Sequence, residues 1–309
     1  MVSEFILVGF SNFPLHLLPI FFLLYLLMYL FTLLGNLIIM ATVWSEHGLH
    51  TPMYLFLCAL STSEILFTVV VTPRMLVDML SSHRSITFVA CASQMFFSFT
   101  FGFTHSFLLM IMGYYRYLAI CHPLRYNVLM STRTCARLVS WTWAGGSVMG
   151  MMVTLIVFHL TFCGSNVIHH FFCHALSLLK LSCGMGISSV TLGMILVCVT
   201  VLMGCLFLII LSYVFIVAAI LRIPSAEGRH KTFSTCVSHL TVVIVHYGFA
   251  SMIYLKSKGP HSMDSNTLMA TTYIVFTPFL SPIIFSLRNK ELKNAIKKSF
   301  QRKFSSLSS

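Results

Sequence analysis

Between Arg84 and Arg116 the chain carries no lysine, arginine, aspartate or glutamate, and runs of this kind recur along its length. Such a run has few places to go. Folded in water it would give a surface almost without charge. A hydrocarbon slab about 30 Å thick, by contrast, is crossed by roughly 20 apolar residues wound into a helix, whose backbone groups bond to one another internally. Composition agrees: 58% of the 309 residues are hydrophobic and only 8% charged, with a mean hydropathy of +0.91. The chain reads as an all-α membrane protein.

Seven runs are long enough to span. They cover residues 17–43, 53–73 with Glu64 inside, 86–115 with His105 as its titratable interruption, 138–158, 188–221, 236–255 and 268–287. Positive charge is retained in short cytoplasmic loops, so the placement of Lys and Arg sets orientation. With the N-terminus outside, Arg74, Arg84, Lys180, Lys256 and Lys258 lie near or on the outer face, and the other fourteen of the 19 cations fall inside. The expected organisation is one domain: residues 1–16 extracellular, 17–287 a seven-helix bundle, and 288–309 a cytoplasmic tail. The net charge of +12 then reads as an orientation signal and an attraction to anionic inner-leaflet lipid. No basic-aromatic platform for nucleic acid is visible.

The N-terminal "MVSEFILVGFSNFP" lacks the basic region and small-residue cleavage site of a secretory signal, so the first span is expected to direct insertion. After the seventh span, "RNKELKNAIKKSFQRKF" places Leu292, Ala295, Ile296 and Phe300 on one helical face among cations, the pattern of a short helix lying on a membrane surface.

The ten cysteines sort by place. Cys58, Cys121, Cys135, Cys198, Cys205 and Cys236 fall in spans or on the reducing side and read as packing residues. Cys91 lies at the outer start of the third span, and Cys163, Cys173 and Cys183 in the long loop after the fourth; four cysteines allow three pairings. In that loop His169, His170 and His174 flank Cys173. Imidazole and thiolate suit zinc or copper, but a disulfide at Cys173 would remove the thiolate, leaving polar loop histidines and no metal.

Four segments carry a resemblance: "LHTPMYLFLCALSTSEILFTVVVTPRML" at 49–76, "MGYYRYLAICHPLRY" at 112–126, "KTFSTCVSHLTVV" at 231–243 and "PFLSPIIFSLRNKELK" at 278–293. Together, in this order and each at a membrane boundary, they resemble the vertebrate olfactory receptors, rhodopsin-like G-protein-coupled receptors. The resemblance begins at Gly35-Asn36 and runs through the tail. It implies disulfides Cys91–Cys173 and Cys163–Cys183. It makes Arg116 the inner-end arginine of the third span, a permanently charged five-donor fork that holds helices closed and then receives a partner helix. Tyr115, Tyr117, His122, Pro123, Tyr213, Lys231, Ser234, His239, Pro282 and Phe285 are implied to serve activation and coupling to a heterotrimeric G protein, without a cofactor.

Several positions depart from the family. Tyr115 stands where an acid usually precedes the arginine. The seventh span ends Ser281-Pro282-Ile283-Ile284-Phe285, without the usual amide and phenol. Glu64 replaces an aspartate and His105 a facing carboxylate, so a Glu64–His105 hydrogen bond or ion pair is expected, with weakened sodium binding. No Asn-x-Ser/Thr sequon occurs, since Asn12 is followed by Phe-Pro; either Met1 lies downstream of the usual start or surface display is poor.

The resemblance puts an odorant in the outer half of the bundle, held by area burial with one or two polar contacts. Helical offset from the motifs makes Ser98, Phe99, Gly102, Phe103, Val197, Val201, Tyr247, Ala250, Ser251, Tyr254, Thr271 and Ile274 the candidate lining, with Tyr247 as the switch beneath the ligand. Rival classes fit less well. A transporter would show duplicated halves with broken helices, and an intramembrane enzyme would cluster its acids or histidines, whereas Glu64, His105, His239 and His246 are dispersed.

Overall fold

A hydrophobic stretch becomes a helix here wherever its ends can be capped and its interior has only apolar or locally satisfied side chains. The computed structural model describes residues 2–11, 13–255 and 262–308, with side chains described outside 252–267. The spans are α1 (Leu18–Ser45), α2 (Pro52–Leu80), α3 (Phe88–Cys121), α5 (Thr132–Phe158), α7 (Ile187–Leu221), α8 (Ala226–Leu255) and α9 (Ser262–Arg288). Between them lie the short helices α4 (Pro123–Leu129) and α6 (Ala175–Leu181), and α10 (Lys290–Leu307) follows. The seven long apolar helices form a transmembrane bundle.

Several helices outlast the apolar runs that announce them. α2 continues seven residues past Pro73 because Arg74 Nε and Asp78 Oδ2 pair at 3.2 Å one turn apart. α5 begins at Thr132 rather than near residue 138, with the Ser131 hydroxyl accepting from the Thr134 amide. α8 begins ten residues before Cys236, its first turns polar and cationic. Hydropathy marks the stretch that lipid covers, whereas hydrogen bonding decides where a helix stops.

Close packing explains the bundle's centre. In α5, a Cβ on Gly146 or Gly150 would overlap the hydroxyls of Thr104 and Thr100, so two small residues one turn apart let α3 and α5 meet backbone to backbone. In α1, a Cβ on Gly35 would come within 3.1 Å of the Pro282 ring, so the bulge of a helix-interior proline is met by a residue with no side chain. α10 starts at Asn289, whose side chain accepts from the Leu292 amide at 3.2 Å, and it buries Leu292 completely. Ala295 and Ile296 pack beside that leucine on the inner core, while Phe300 and Phe304 are exposed.

Strands, which hydropathy does not announce, build the outer lid. β1 (Glu4–Leu7) lies between β2 (Ser85–Thr87), antiparallel with Phe5 opposite Ile86, and β4 (Val167–Ile168), parallel with Ile6 opposite Val167. β3 (Thr161–Phe162) pairs with β5 (Ser182–Cys183). Cys91 is bonded to Cys173 with Cα atoms 5.5 Å apart, and Cys163 to Cys183 at 5.7 Å. Alternation buries Phe5 and Leu7 and leaves Glu4 and Ile6 exposed. The two buried side chains join Ile168, Leu178, Val153 and Val157 in a small outer core.

Candidate functional site

At the inner end, α3 presents Tyr115 and Arg116 on successive positions with different fates. Tyr115 is buried, its ring edge-on to Phe56 and to Tyr126, both at 6.0 Å. Arg116 is half-buried with its Nε lacking a hydrogen-bond partner among the described residues, and its charge reaches Tyr54, Tyr115, Tyr213 and His239. Beside it, the buried His239 Nε2 contacts the Leu109 carbonyl at 2.9 Å and its Nδ1 the Tyr213 hydroxyl at 2.6 Å. A carbonyl only accepts, so Nε2 carries the hydrogen and Nδ1 receives the tyrosine's. A neutral histidine thereby ties α8 to α3 and α7. Tyr213 is spent on His239 in this state rather than on Arg116.

The rest of the inner face is more open. The Tyr117 hydroxyl meets His122 Nε2 at 3.0 Å, and Pro123 opens α4 where its missing N–H costs nothing. Lys231 is exposed, and the Ser234 hydroxyl donates to the Lys231 carbonyl at 2.7 Å. Pro282 and Phe285 are buried in α9. Tyr54, which sequence reasoning passed over, donates to Glu291 Oε2 at 2.9 Å and lies 3.3 Å from Asn289 Oδ1, fastening α2 to the start of α10.

Midway through the membrane Glu64 and His105 face each other at 3.9 Å, Oε1 to Nδ1. That is too long for the expected hydrogen bond and short enough for an ion pair when the imidazole is protonated. Of the four ionisable residues expected to be dispersed, only His239 stands apart; His246 joins Glu64 and His105, its ring 4.7 Å from that of His105 and its Nε2 3.0 Å from Ser106 Oγ. Glu64 Oε1 and His105 Nε2 have no hydrogen-bond partner among the described residues. His105 stands next to both Glu64 and His246, and one carboxylate with two imidazoles suits sodium poorly, because that hard cation prefers oxygen.

The outer candidates divide. In α3, Ser98 and Phe99 are half-buried, the Ser98 hydroxyl has no partner among the described residues, and Gly102 has open space where a side chain would stand. Phe103 is buried and stacks with Phe99 and Phe107, the latter resting on Gly145 of α5. Val197 does not line the interior: it is 44% exposed, and the inward side of α7 is carried by Met194, Cys198 and Leu202. One residue of offset turns a helical side chain by about 100°, enough to exchange core for lipid. Val201 and Ala250 are half-buried, and Ser251 is exposed. Thr271 lies with Phe10 and Tyr25, and Ile274 is buried in the same α1–α2–α9 cluster, whereas Tyr247 belongs to the inner core. The side chain of Tyr254, with Asn12, Lys256 and Lys258, lies outside the described residues.

Above these residues the loop is pinned to α3. The Cys173 amide donates to Gln94 Oε1 at 3.1 Å. The His170 and His174 rings stack at 4.8 Å. Burial, with help from Lys180, pushes His174 down to about 4, and burial beside His174 holds His170 well below the usual imidazole range. Cys173 is spent in its disulfide and offers these imidazoles no thiolate.

The olfactory receptor family profile matches residues 25–303. The chain belongs to the olfactory receptor family. It is 81% identical to human olfactory receptor 10H4 over 98% of this chain and 96% of that protein, and 80% identical to human olfactory receptor 10H3 over 100% and 98%. Mouse olfactory receptor 10H28 is 76% identical over 97% and 95%. As an olfactory receptor it is a rhodopsin-like G-protein-coupled receptor, a receptor class and not an enzyme class. The receptor's outer lid carries an N-terminal strand that sequence reasoning passed over. The alternation in "EFIL" was its one available signal.

Proposed function

We propose that this chain is an odorant receptor of the plasma membrane, N-terminus outside and C-terminus in the cytoplasm, that binds small, volatile, largely apolar molecules in the outer half of its bundle. Binding activates a stimulatory olfactory-type heterotrimeric G protein and raises cyclic AMP. The observation that carries this reading is the inner latch. Arg116 keeps free donor capacity beside a Tyr213–His239–Leu109 chain that joins three helices. Moving α8 outward breaks that chain, frees the tyrosine and uncovers the guanidinium for an inserted partner helix. An odorant drives this only by binding the open state more tightly than the closed one.

Tyr115 supports a second reading, a poorly coupling receptor. Its phenol is packed against Phe56 and Tyr126 and gives Arg116 no counter-charge, and the missing glycosylation sequon points to low surface display. The test is an odorant panel on cells expressing the chain with and without Tyr115→Asp, reading cyclic AMP. Odorant-dependent cyclic AMP in the unmodified chain supports full coupling; a response only after Tyr115→Asp places the defect at that residue. Silence in both, with the protein at the surface, overturns the proposal.

A further inference from the structure

α7 packs on α3 and α8 packs on α9, but α7 and α8 touch each other little. Between them lies a groove of about 700 Å³, within the usual size range of small-molecule sites. Its floor is buried and made by Ile209, Tyr213, Val243 and Tyr247. Its rim is Val214 on α7 and Ile244 on α8, 59% and 67% exposed. In a transmembrane bundle side chains so placed face hydrocarbon, so the groove opens to the bilayer rather than to water.

Two further observations say what it takes. First, the Tyr247 hydroxyl is buried in the floor, the residue being 7% exposed, and has no hydrogen-bond partner among the described residues. Ser106 is close enough to act on it, but the two hydroxyls do not meet with hydrogen-bond geometry. An unmet donor in an apolar site is costly, and a ligand oxygen relieves that cost. Second, the groove's exposed rim lies on the flank of the bundle, away from the lid's core over α3 and α5, so a molecule that already partitions into lipid meets it directly.

We propose that the α7–α8 groove is a membrane-side binding site and passage for a small apolar ligand bearing one hydrogen-bond-accepting oxygen, taken from the bilayer and held by the Tyr247 hydroxyl. This rests on the odorant-receptor reading and adds to it the chemical class and the direction of arrival. Because Tyr247 also contacts His246, at 5.1 Å between rings, occupancy is felt at the Glu64–His105–His246 cluster.

The test uses the full chain in phosphatidylcholine nanodiscs with a diazirine-bearing 2-octanone, illuminated and mapped by mass spectrometry. Labelling within 206–217 and 240–251 should saturate and be competed by unlabelled 2-octanone. Val214→Trp and Ile244→Trp, both at exposed rim positions where the larger ring is accommodated, should remove it, and Tyr247→Phe should weaken half-saturation about tenfold. Unsaturable labelling, or saturable labelling confined to 98–103 and unchanged in both tryptophan variants, overturns the proposal. Cyclic AMP responses to an odorant panel are read separately. A responsive receptor without saturable groove labelling sinks the groove alone, whereas saturable groove labelling in a displayed but silent receptor sustains the groove and sinks the receptor reading.

Discussion

Whereas the outer end of the bundle is tied by two disulfides, five paired strands and a core containing Phe5, Leu7, Ile168 and Leu178, the inner end has an apolar core but, among the described residues, neither disulfide nor strand, and its polar ties are single side-chain hydrogen bonds such as Tyr213–His239 and Tyr54–Glu291. Covalent and apolar ties persist through thermal motion. A hydrogen bond contributes only about 0.5–1.5 kcal/mol net, which is the scale on which a ligand shifts a two-state equilibrium. The outer end is therefore built to keep its shape and the inner end to change it.

The largest predicted effect attacks the rigid end. Cys91→Ser should cost about 2–5 kcal/mol and sharply reduce folded receptor at the surface, measured by antibody labelling of intact cells; a variant displayed and melting like the parent would contradict a stapled outer end. Acidification comes next. His170 and His174 titrate below their ordinary 6.5 in the fold, so the unfolded lid binds more protons and stability falls as pH drops from about 6.5 toward 4, by at most ~1.4 kcal/mol per pH unit for each imidazole. Hydrogen-exchange protection across residues 161–183, taken relative to the intrinsic rate at each pH, should fall between pH 7 and pH 5, and His174→Phe should blunt the change. The smallest effect concerns the mobile end: Tyr213→Phe leaves His239 Nδ1 without its donor and should loosen the closed state by about 1 kcal/mol, seen as raised basal cyclic AMP at equal surface density.

Much of this architecture is legible in the sequence, because lipid imposes a length and polarity on each span that hydropathy reads directly. Leu292, Ala295 and Ile296 show their shared face in the same way, whereas the Glu64–His105 confrontation comes from the family resemblance, which sets the third-span position opposite the second-span acid. What escapes is set by partners far along the chain. β1 forms only because residues 85–87 and 167–168 reach it, and four residues have no helical-length signal. Val197 fails for a different reason: α7 is apolar on every side, so nothing in its pattern marks which face meets lipid. Gly146 and Gly150 show their spacing openly, but only the facing threonines of α3 give it meaning.

The backbone of Gly9 crosses the His170–Phe171 peptide so closely that any Cβ there would fall within 2.6 Å of it. The leading segment is thus threaded into the strand-built cap as a working part, not a loose handle. Purification epitopes and reporter fusions belong ahead of Ser3; splicing them between Leu7 and Phe10 would prise a strand from the cap and unseat the residues beneath it.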